Sequence, residues 1–225
     1  MSFAGRALGI VLGPLGTRVV TVRSGPIAGA RMALDLAHEK TFWAGTYEPE
    51  VTGVIESVEL DGRQAWDVGA HAGYFALTLA RRGARVVALE ANPETAERLR
   101  RNITLNEADV EVVEAAAAAE PGHVSFDAVP GQRRAQSKIS ESGGTRVEAI
   151  TLDGLLDRFG APAFVKMDIE GAELPALRAA PRLLAAKPTI LVEVHRERDE
   201  PELDTLLRDA GYGVAWTGSR LLATP

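Results

Sequence analysis

The sequence predicts a doubly wound α/β fold: a mostly parallel sheet with helices on both faces and an antiparallel strand at one edge. Three observations predict it. From Arg63 onward, short apolar runs alternate with segments of helical period, the pattern of a parallel sheet with crossover helices. The series opens with a strand, a glycine turn and a helix around Asp67-Val68-Gly69-Ala70-His71-Ala72-Gly73, the unit that places a ligand at strand ends. It closes with two short runs joined through Gly218-Ser219, a tight link that reads as a hairpin.

The elements follow in order. Thr17 to Val22 and Ala30 to Leu36 alternate around Arg23-Ser24-Gly25-Pro26, as in a hairpin. An aromatic, glycine-bearing stretch from Thr41 to Glu50 leads into an amphipathic stretch from Val51 to Leu60. The first core strand enters the glycine turn, and Tyr74 to Arg82 continues with helical spacing. Arg85 to Leu89 is the second strand, ending in Glu90. Asn92 caps the next helix, with Pro93 at its first position, and that helix runs to about Asn106. Val110 to Ala115, Phe164 to Asp168 and Thr189 to Val194 read as the third, fourth and fifth strands. A helix over Glu202 to Ala210 leads to closing strands at Tyr212 to Trp216 and Arg220 to Ala223. Gly122 to Arg146, rich in Gly, Pro and Ser, shows no helical period. It reads as an irregular excursion, a surface hairpin or a flap over the site.

No long linker divides the 225 residues, so the chain is taken as one domain, residues 1–60 forming a β/helical extension and 61–225 the sheet core. A hydrophobic content of 46% suffices for a core of that size. The net charge of −6 comes without any basic block, which argues against nucleic acid, whose phosphates need clustered Lys and Arg. The absence of cysteine excludes disulfides, thiolate catalysis and cysteine-based zinc sites. Gly and Pro interrupt the apolar residues of Met1 to Val22, so no signal peptide and no membrane span are expected. The expected location is cytoplasmic.

Glycine spacing selects the ligand. A dinucleotide turn follows G-x-G-x-x-G, which lets backbone approach a pyrophosphate. Here the pattern is D-x-G-x-x-x-G; His71 stands where the second glycine would be, and Asp67 would repel a pyrophosphate. A carboxylate there suits a ligand carrying an ammonium and a sulfonium, namely S-adenosylmethionine. Glu90, about twenty residues on, is placed to grip a ribose diol.

A second cluster lies at Lys166-Met167-Asp168-Ile169-Glu170-Gly171-Ala172-Glu173, at the end of the fourth strand. Strand alternation would put Lys166, Asp168 and Glu170 on one side if the strand persists. The fifth strand ends in Glu193-Val194-His195. Methyl transfer to an alcohol needs in-line attack and a destination for the hydroxyl proton, and a positioned base contributes roughly 10²–10⁴ in rate. Asp168, His195, Glu170 and Lys166 are therefore the catalytic candidates. The same acids and His195 suit a divalent metal chemically, but no metal is assigned.

These stretches, in the order Gly45-Thr46-Tyr47-Glu48, the glycine turn, Glu90-Ala91-Asn92-Pro93, Asn102 to Asn106, Thr151-Leu152-Asp153 and the Lys166–Glu173 block, resemble the FkbM-type family of S-adenosylmethionine-dependent methyltransferases. The resemblance spans about Phe42 to His195. It implies a class I methyltransferase-like sheet of seven strands and O-methylation of a hydroxyl on a sugar or secondary metabolite. It implies that Asp67, Gly69 and Gly73 line the methionine end of the cofactor, that Glu90 holds the ribose and that Asn92 lies beside it. Tyr47, Glu48, Ala70 and Ala115 join that cofactor set. Asp168, Glu170 and His195 would face the acceptor. His71 departs from the family, which usually has Asn there. Two other readings stay open: an NAD-dependent oxidoreductase and a non-catalytic nucleotide-binding protein on a similar sheet. The partner expected is a small-molecule acceptor, with no nucleic acid and no membrane. Oligomeric state is open, a homodimer included.

Overall fold

The structure is a computed structural model and describes residues 16–126, 139–140 and 145–225. In chain order its strands are β1 (Arg18–Thr21), β2 (Arg31–Leu34), β3 (Gln64–Val68), β4 (Arg85–Glu90), β5 (Val110–Glu114), β6 (Ala116–Ala117), β7 (Gly122–Phe126), β8 (Ile139–Ser140), β9 (Thr145–Ile150), β10 (Phe164–Met167), β11 (Thr189–Glu193), β12 (Gly213–Thr217) and β13 (Arg220–Thr224). Seven of them form the central sheet in the order β12-β13-β11-β10-β3-β4-β5. The pairs from β11 through β10, β3 and β4 to β5 are all parallel. β13 runs antiparallel to both β11 and β12. The reversed strand is thus the inner member of the closing hairpin, and the edge strand β12 shares the direction of the core. Position in the sheet is set by pairing, which the Gly218-Ser219 link does not encode.

Alternation along the strands builds two cores. Trp66, Val68, Val87, Leu89, Val165, Met167, Ile190 and Val192 face one side. There they meet the helices Leu152–Phe159, Glu173–Arg178, Pro181–Ala185 and Glu200–Asp209. Ala65, Val86, Ala88, Phe164 and Leu191 face the other side, against helices Tyr74–Arg81 and Pro93–Leu105 and the N-terminal segment. Both cores are made of residues buried essentially to completion, each large side chain worth about 1.5–3 kcal/mol of transfer free energy. On the second face, the register sets Ala88, Asp67, Lys166 and Leu191 side by side across four strands. Two charges therefore sit in the middle of an apolar row.

Local chemistry fixes the helix ends. Asn92 accepts the Thr95 amide at 3.2 Å and Pro93 opens the helix, as the sequence predicts. Thr151 does the same for Gly154 at 3.0 Å. The predicted N-terminal hairpin is present as β1 and β2. It is tied down by Asn102, whose amide oxygen accepts from Ala33 N at 2.6 Å while its nitrogen donates to Ala72 O at 2.8 Å. One side chain thus joins the extension to the glycine turn. The amphipathic stretch after the aromatic segment is the helix Pro49–Ser57.

The hairpin reading of the excursion at Gly122 to Arg146 fits the antiparallel strands found there, while the small sheet they join was not legible in the sequence. β7 pairs antiparallel with β9, and β6 and β8 complete a small four-stranded sheet. Burial alternates along β9, where Val147 and Ala149 are covered; the Gly, Pro and Ser between the strands obscured that period. The intervening positions 127–138 and 141–144, including Pro130, Gly131, Gly143 and Gly144, lie outside the described residues, as do residues 1–15. Among the described residues no helix is long and apolar enough to cross a membrane.

Candidate active site

The glycine turn leaves β3 at its C-terminal end. Gly69 N and Ala70 N both donate to Leu89 O at 2.9 Å, so the turn folds against β4. Gly69 and Gly73 have φ of +86° and +89°, left-handed backbone that glycine adopts without a Cβ penalty. A Cβ on Gly69 would stand 1.8 Å from Asp168 O, and one on Gly73 would meet the Leu99 side chain at 2.5 Å. The missing side chain at Gly69 thus makes room first for the backbone after β10. This brings the glycine turn and the Asp168 loop into direct contact.

Glu90 stands at the end of β4. Its carboxylate accepts His71 N at 2.8 Å and Asn92 N at 2.9 Å. Burial pushes its pKa up, and those two amides and Lys166 pull against the rise. Each oxygen keeps a lone pair for a ribose hydroxyl. Asn92 spends its side chain on the helix cap and lies next to Glu90. Ala115 follows β5 and is buried in the first core, so a ligand there would meet its main chain.

Asp67 departs from the sequence reading. It is inside β3 rather than at the strand end, fully buried, with Lys166 Nζ 3.7 Å from its Oδ1. Burial first, then the Asp168 charge, raise its pKa to about 6 against the pull of Lys166. Lys166 stands at ion-pair distance, yet neither carboxylate oxygen has a hydrogen-bond partner among the described residues. Lys166 also lies 3.3 Å from Asp168 Oδ2, 3.4 Å from Gly69 O and 5.3 Å from the centre of the Phe75 ring. Burial alone would lower the Lys166 pKa, but Asp168, Asp67 and Glu48 outweigh it and hold the ammonium charged. Lys166 is therefore a fixed cation and not a base.

β10 ends at Met167, so strand alternation does not carry on to Asp168 and Glu170 as expected. A turn brings them together instead: Glu170 and Gly171 have φ of +56° and +98°. Glu173, buried at the start of its helix, holds this turn. Its Oε1 accepts Ile169 N at 3.2 Å and Gly171 N at 3.0 Å, and lies 3.0 Å from His195 Nδ1. His195 Nε2 then stands 3.5 Å from Asp168 Oδ1 and 3.6 Å from Glu170 Oε2. The Glu173 hydrogen bond, against some burial and with help from Asp168 and Glu170, raises the His195 pKa to about 9. At neutral pH the imidazolium and Lys166 flank Asp168 with positive charge. Asp168, Glu170 and His195 each offer one ligand atom, all within 4.8 Å of one another. Glu173 is the residue that sequence reasoning quoted but gave no role; its place three residues after Glu170 was visible, its burial was not.

Tyr47 and Glu48 approach from the N-terminal side. Tyr47 packs in an aromatic group with Phe42, Tyr74 and Phe75. Burial, then the Glu48 charge beside it, push the pKa of its hydroxyl upward. Glu48 Oε2 and Glu193 Oε2 each lie 3.3 Å from Arg220 Nη2. Arg220 thus braces the extension against the end of β11.

A mostly parallel seven-stranded sheet with β10 and β3 as neighbours in its middle, a reversed inner strand and a glycine turn after β3 defines a class I methyltransferase fold. The profile of the FkbM methyltransferase domain matches residues 67–214. The chain belongs to the FkbM methyltransferase family, and S-adenosylmethionine is its cofactor. That membership sets aside the nicotinamide reading. The chain is 30% identical over 159 residues to the hexuronic acid methyltransferase AglP of Haloferax volcanii, a match covering 70% of this chain and 66% of that protein. It is similar in fold to precorrin-6y C5,15-methyltransferase from Geobacter metallireducens, with a TM-score of 0.52, 19% identity, and 81% and 90% of the two chains covered. It is also similar in fold to ribosomal protein L11 methylase from Lactobacillus delbrueckii subsp. bulgaricus, with a TM-score of 0.50, 16% identity, and coverage of 79% and 77%. At such identities the structural likenesses establish the fold alone.

Proposed function

We propose that the protein methylates an oxygen of a sugar-type small molecule, most simply a hydroxyl. The observation that carries this is the contact between the glycine turn at Gly69 and the backbone of Asp168. It sets a carboxylate between two cations beside the cofactor turn. When bound, S-adenosylmethionine supplies an electrophilic methyl group on a sulfonium. Glu90 would hold its ribose, and the turn from Gly69 to Gly73 would take its methionine end, since Cβ-free backbone lines that path. Asp168 orients the acceptor hydroxyl and accepts its proton as the oxygen–methyl bond forms and the carbon–sulfur bond breaks. The His195 imidazolium, fixed by Glu173, and Lys166 stabilise the carboxylate in the geometry that this role needs. The sugar acceptor is supported by AglP, a relative named for acting on a hexuronic acid.

The test is S-adenosylhomocysteine release with a panel of uronic acids, neutral sugars and hydroxylated metabolites. Asp168→Asn keeps the shape and removes the charge. Turnover on the best acceptor is expected to fall at least about a hundredfold with little change in cofactor affinity, the signature of an interaction made in the transition state. Full activity of Asp168→Asn would overturn the role of Asp168. Loss of wild-type activity on chelation, restored by magnesium, would instead assign Asp168, Glu170 and His195 to a metal. Cofactor binding with no turnover on any acceptor would favour a non-catalytic binder.

A further inference from the structure

His71 occupies the second position after Gly69 and has φ of +49°. A non-glycine residue persists in that region when its surroundings over-determine it. Three contacts do so. Its amide donates to Glu90 Oε2 at 2.8 Å. Its ring stands edge-on to Phe42 with centres 5.9 Å apart. Its Nε2 lies 3.3 Å from Arg98 Nη2. Arg98, on helix Pro93–Leu105, is in turn bonded to Glu39 at 2.9 Å from Nη1, and Glu39 Oε1 lies 3.8 Å from His71 Nε2. Glu39 also accepts Asp35 N at 2.8 Å. A continuous path therefore runs from the N-terminal segment through Arg98 and His71 to the carboxylate at the end of β4.

We propose that Arg98, anchored by Glu39, is a positioning residue for the cofactor site: it holds His71 as a neutral acceptor, and so fixes the amide that aims the Glu90 carboxylate. A guanidinium has donors only, so the nitrogen facing it must carry a lone pair and the ring proton must sit on Nδ1. The charged groups around the ring agree with this. Burial first, then Arg98 and Lys166, lower the His71 pKa, with Asp168 opposing them. Glu39 is compensated by Arg98, and Glu90 meets the His71 main chain rather than its ring. Arg98 touches neither Glu90 nor the glycines directly, so its effect must pass through His71.

This inference rests on the placement of the cofactor at the glycine turn, and the experiment separates the two. Binding of S-adenosylhomocysteine is measured by calorimetry for wild type, Glu90→Ala, Arg98→Met, His71→Asn and the double variant. Arg98→Met is expected to weaken binding about tenfold in wild type but less than about threefold when His71 is already Asn. Arg98→Gln serves in the same cycle if Arg98→Met does not fold. In parallel, NMR follows the rings of the four histidines, with His71 assigned by its loss in His71→Asn. The His71 ring is expected to stay neutral from about pH 5.5 to about 8 in wild type and to titrate within that range in the Arg98 variant. Equal losses in the two backgrounds, or a His71 titration that Arg98 does not move, would overturn the inference. Unchanged binding in Glu90→Ala would instead overturn the placement of the cofactor.

Discussion

The turns after β3 and β10 solve one problem in parallel and differ in a telling way. Each contains a non-glycine residue in left-handed backbone, His71 in the first and Glu170 in the second. Each is pinned by a carboxylate that accepts two amides: Glu90 takes His71 N and Asn92 N, and Glu173 takes Ile169 N and Gly171 N. Glu90, however, uses both oxygens and keeps one lone pair on each, whereas Glu173 concentrates its bonds on Oε1 and adds His195. The first carboxylate keeps acceptor capacity on both oxygens. The second is consumed in positioning another side chain. Equivalent backbone roles thus leave different chemistry over, and the difference lies in what stands opposite each carboxylate.

The largest effect is expected at the point where the two turns touch. Gly69→Val places a branched Cβ against Asp168 O, where even a methyl would stand at 1.8 Å. Both turns must shift, and binding of S-adenosylhomocysteine should be lost, as read by calorimetry and thermal stabilisation. A folded variant with wild-type affinity would show that the turns are independent.

The carboxylates come next. Glu90→Ala removes a charge-assisted bond worth about 1.5–3 kcal/mol, so cofactor affinity should fall roughly ten- to a hundredfold in calorimetry. Glu173→Gln should leave that affinity nearly unchanged. It should instead bring the His195 titration, at about 9 in the wild-type protein, down toward about 6.5 by NMR. If Glu173→Gln weakened the cofactor as much as Glu90→Ala, the division of labour between the two turns would collapse.

The smallest effect concerns pH. The folded pKa of His195 lies above its unfolded value, so its contribution to stability is complete below about pH 6.5 and is lost as pH rises through about 9. With the side chain 27% exposed, the total is up to roughly 2 kcal/mol. Urea unfolding at intervals across that window should show a slope in wild type that His195→Gln lacks. An identical slope in both proteins would assign it to other groups.

How far the sequence leads depends on the range of the interaction. The strands, the Asn92 cap and the glycine turn are written in neighbouring residues, so periodicity and turn chemistry suffice to place them. The Lys166–Glu173 block is compact enough for its acids to be picked out together. The Asp67–Lys166 pair was not legible, because it exists only through the β3–β10 register. Neither was the Glu39–Arg98 pair, which spans 59 positions. The condition that the strand persist to Glu170 is not met, because β10 ends at Met167 and alternation alone does not reveal the left-handed turn at Glu170 and Gly171.

The inner position of β13 makes it the sole tie of the sheet's rim among the described residues. β12 precedes it in the chain, yet among the described residues β12 finds its strand partner only in β13, while β13 also pairs with β11. The rim beyond β11 is therefore one unit, with residues 213–217 held to the sheet only through 220–224. Arg220 sits on β13 and supplies the cation between Glu48 and Glu193. In native-state hydrogen exchange, the amides of both strands should open together. Each such opening would also break the pairs of Arg220 with Glu48 and Glu193, loosening the tie between the N-terminal segment and the end of β11.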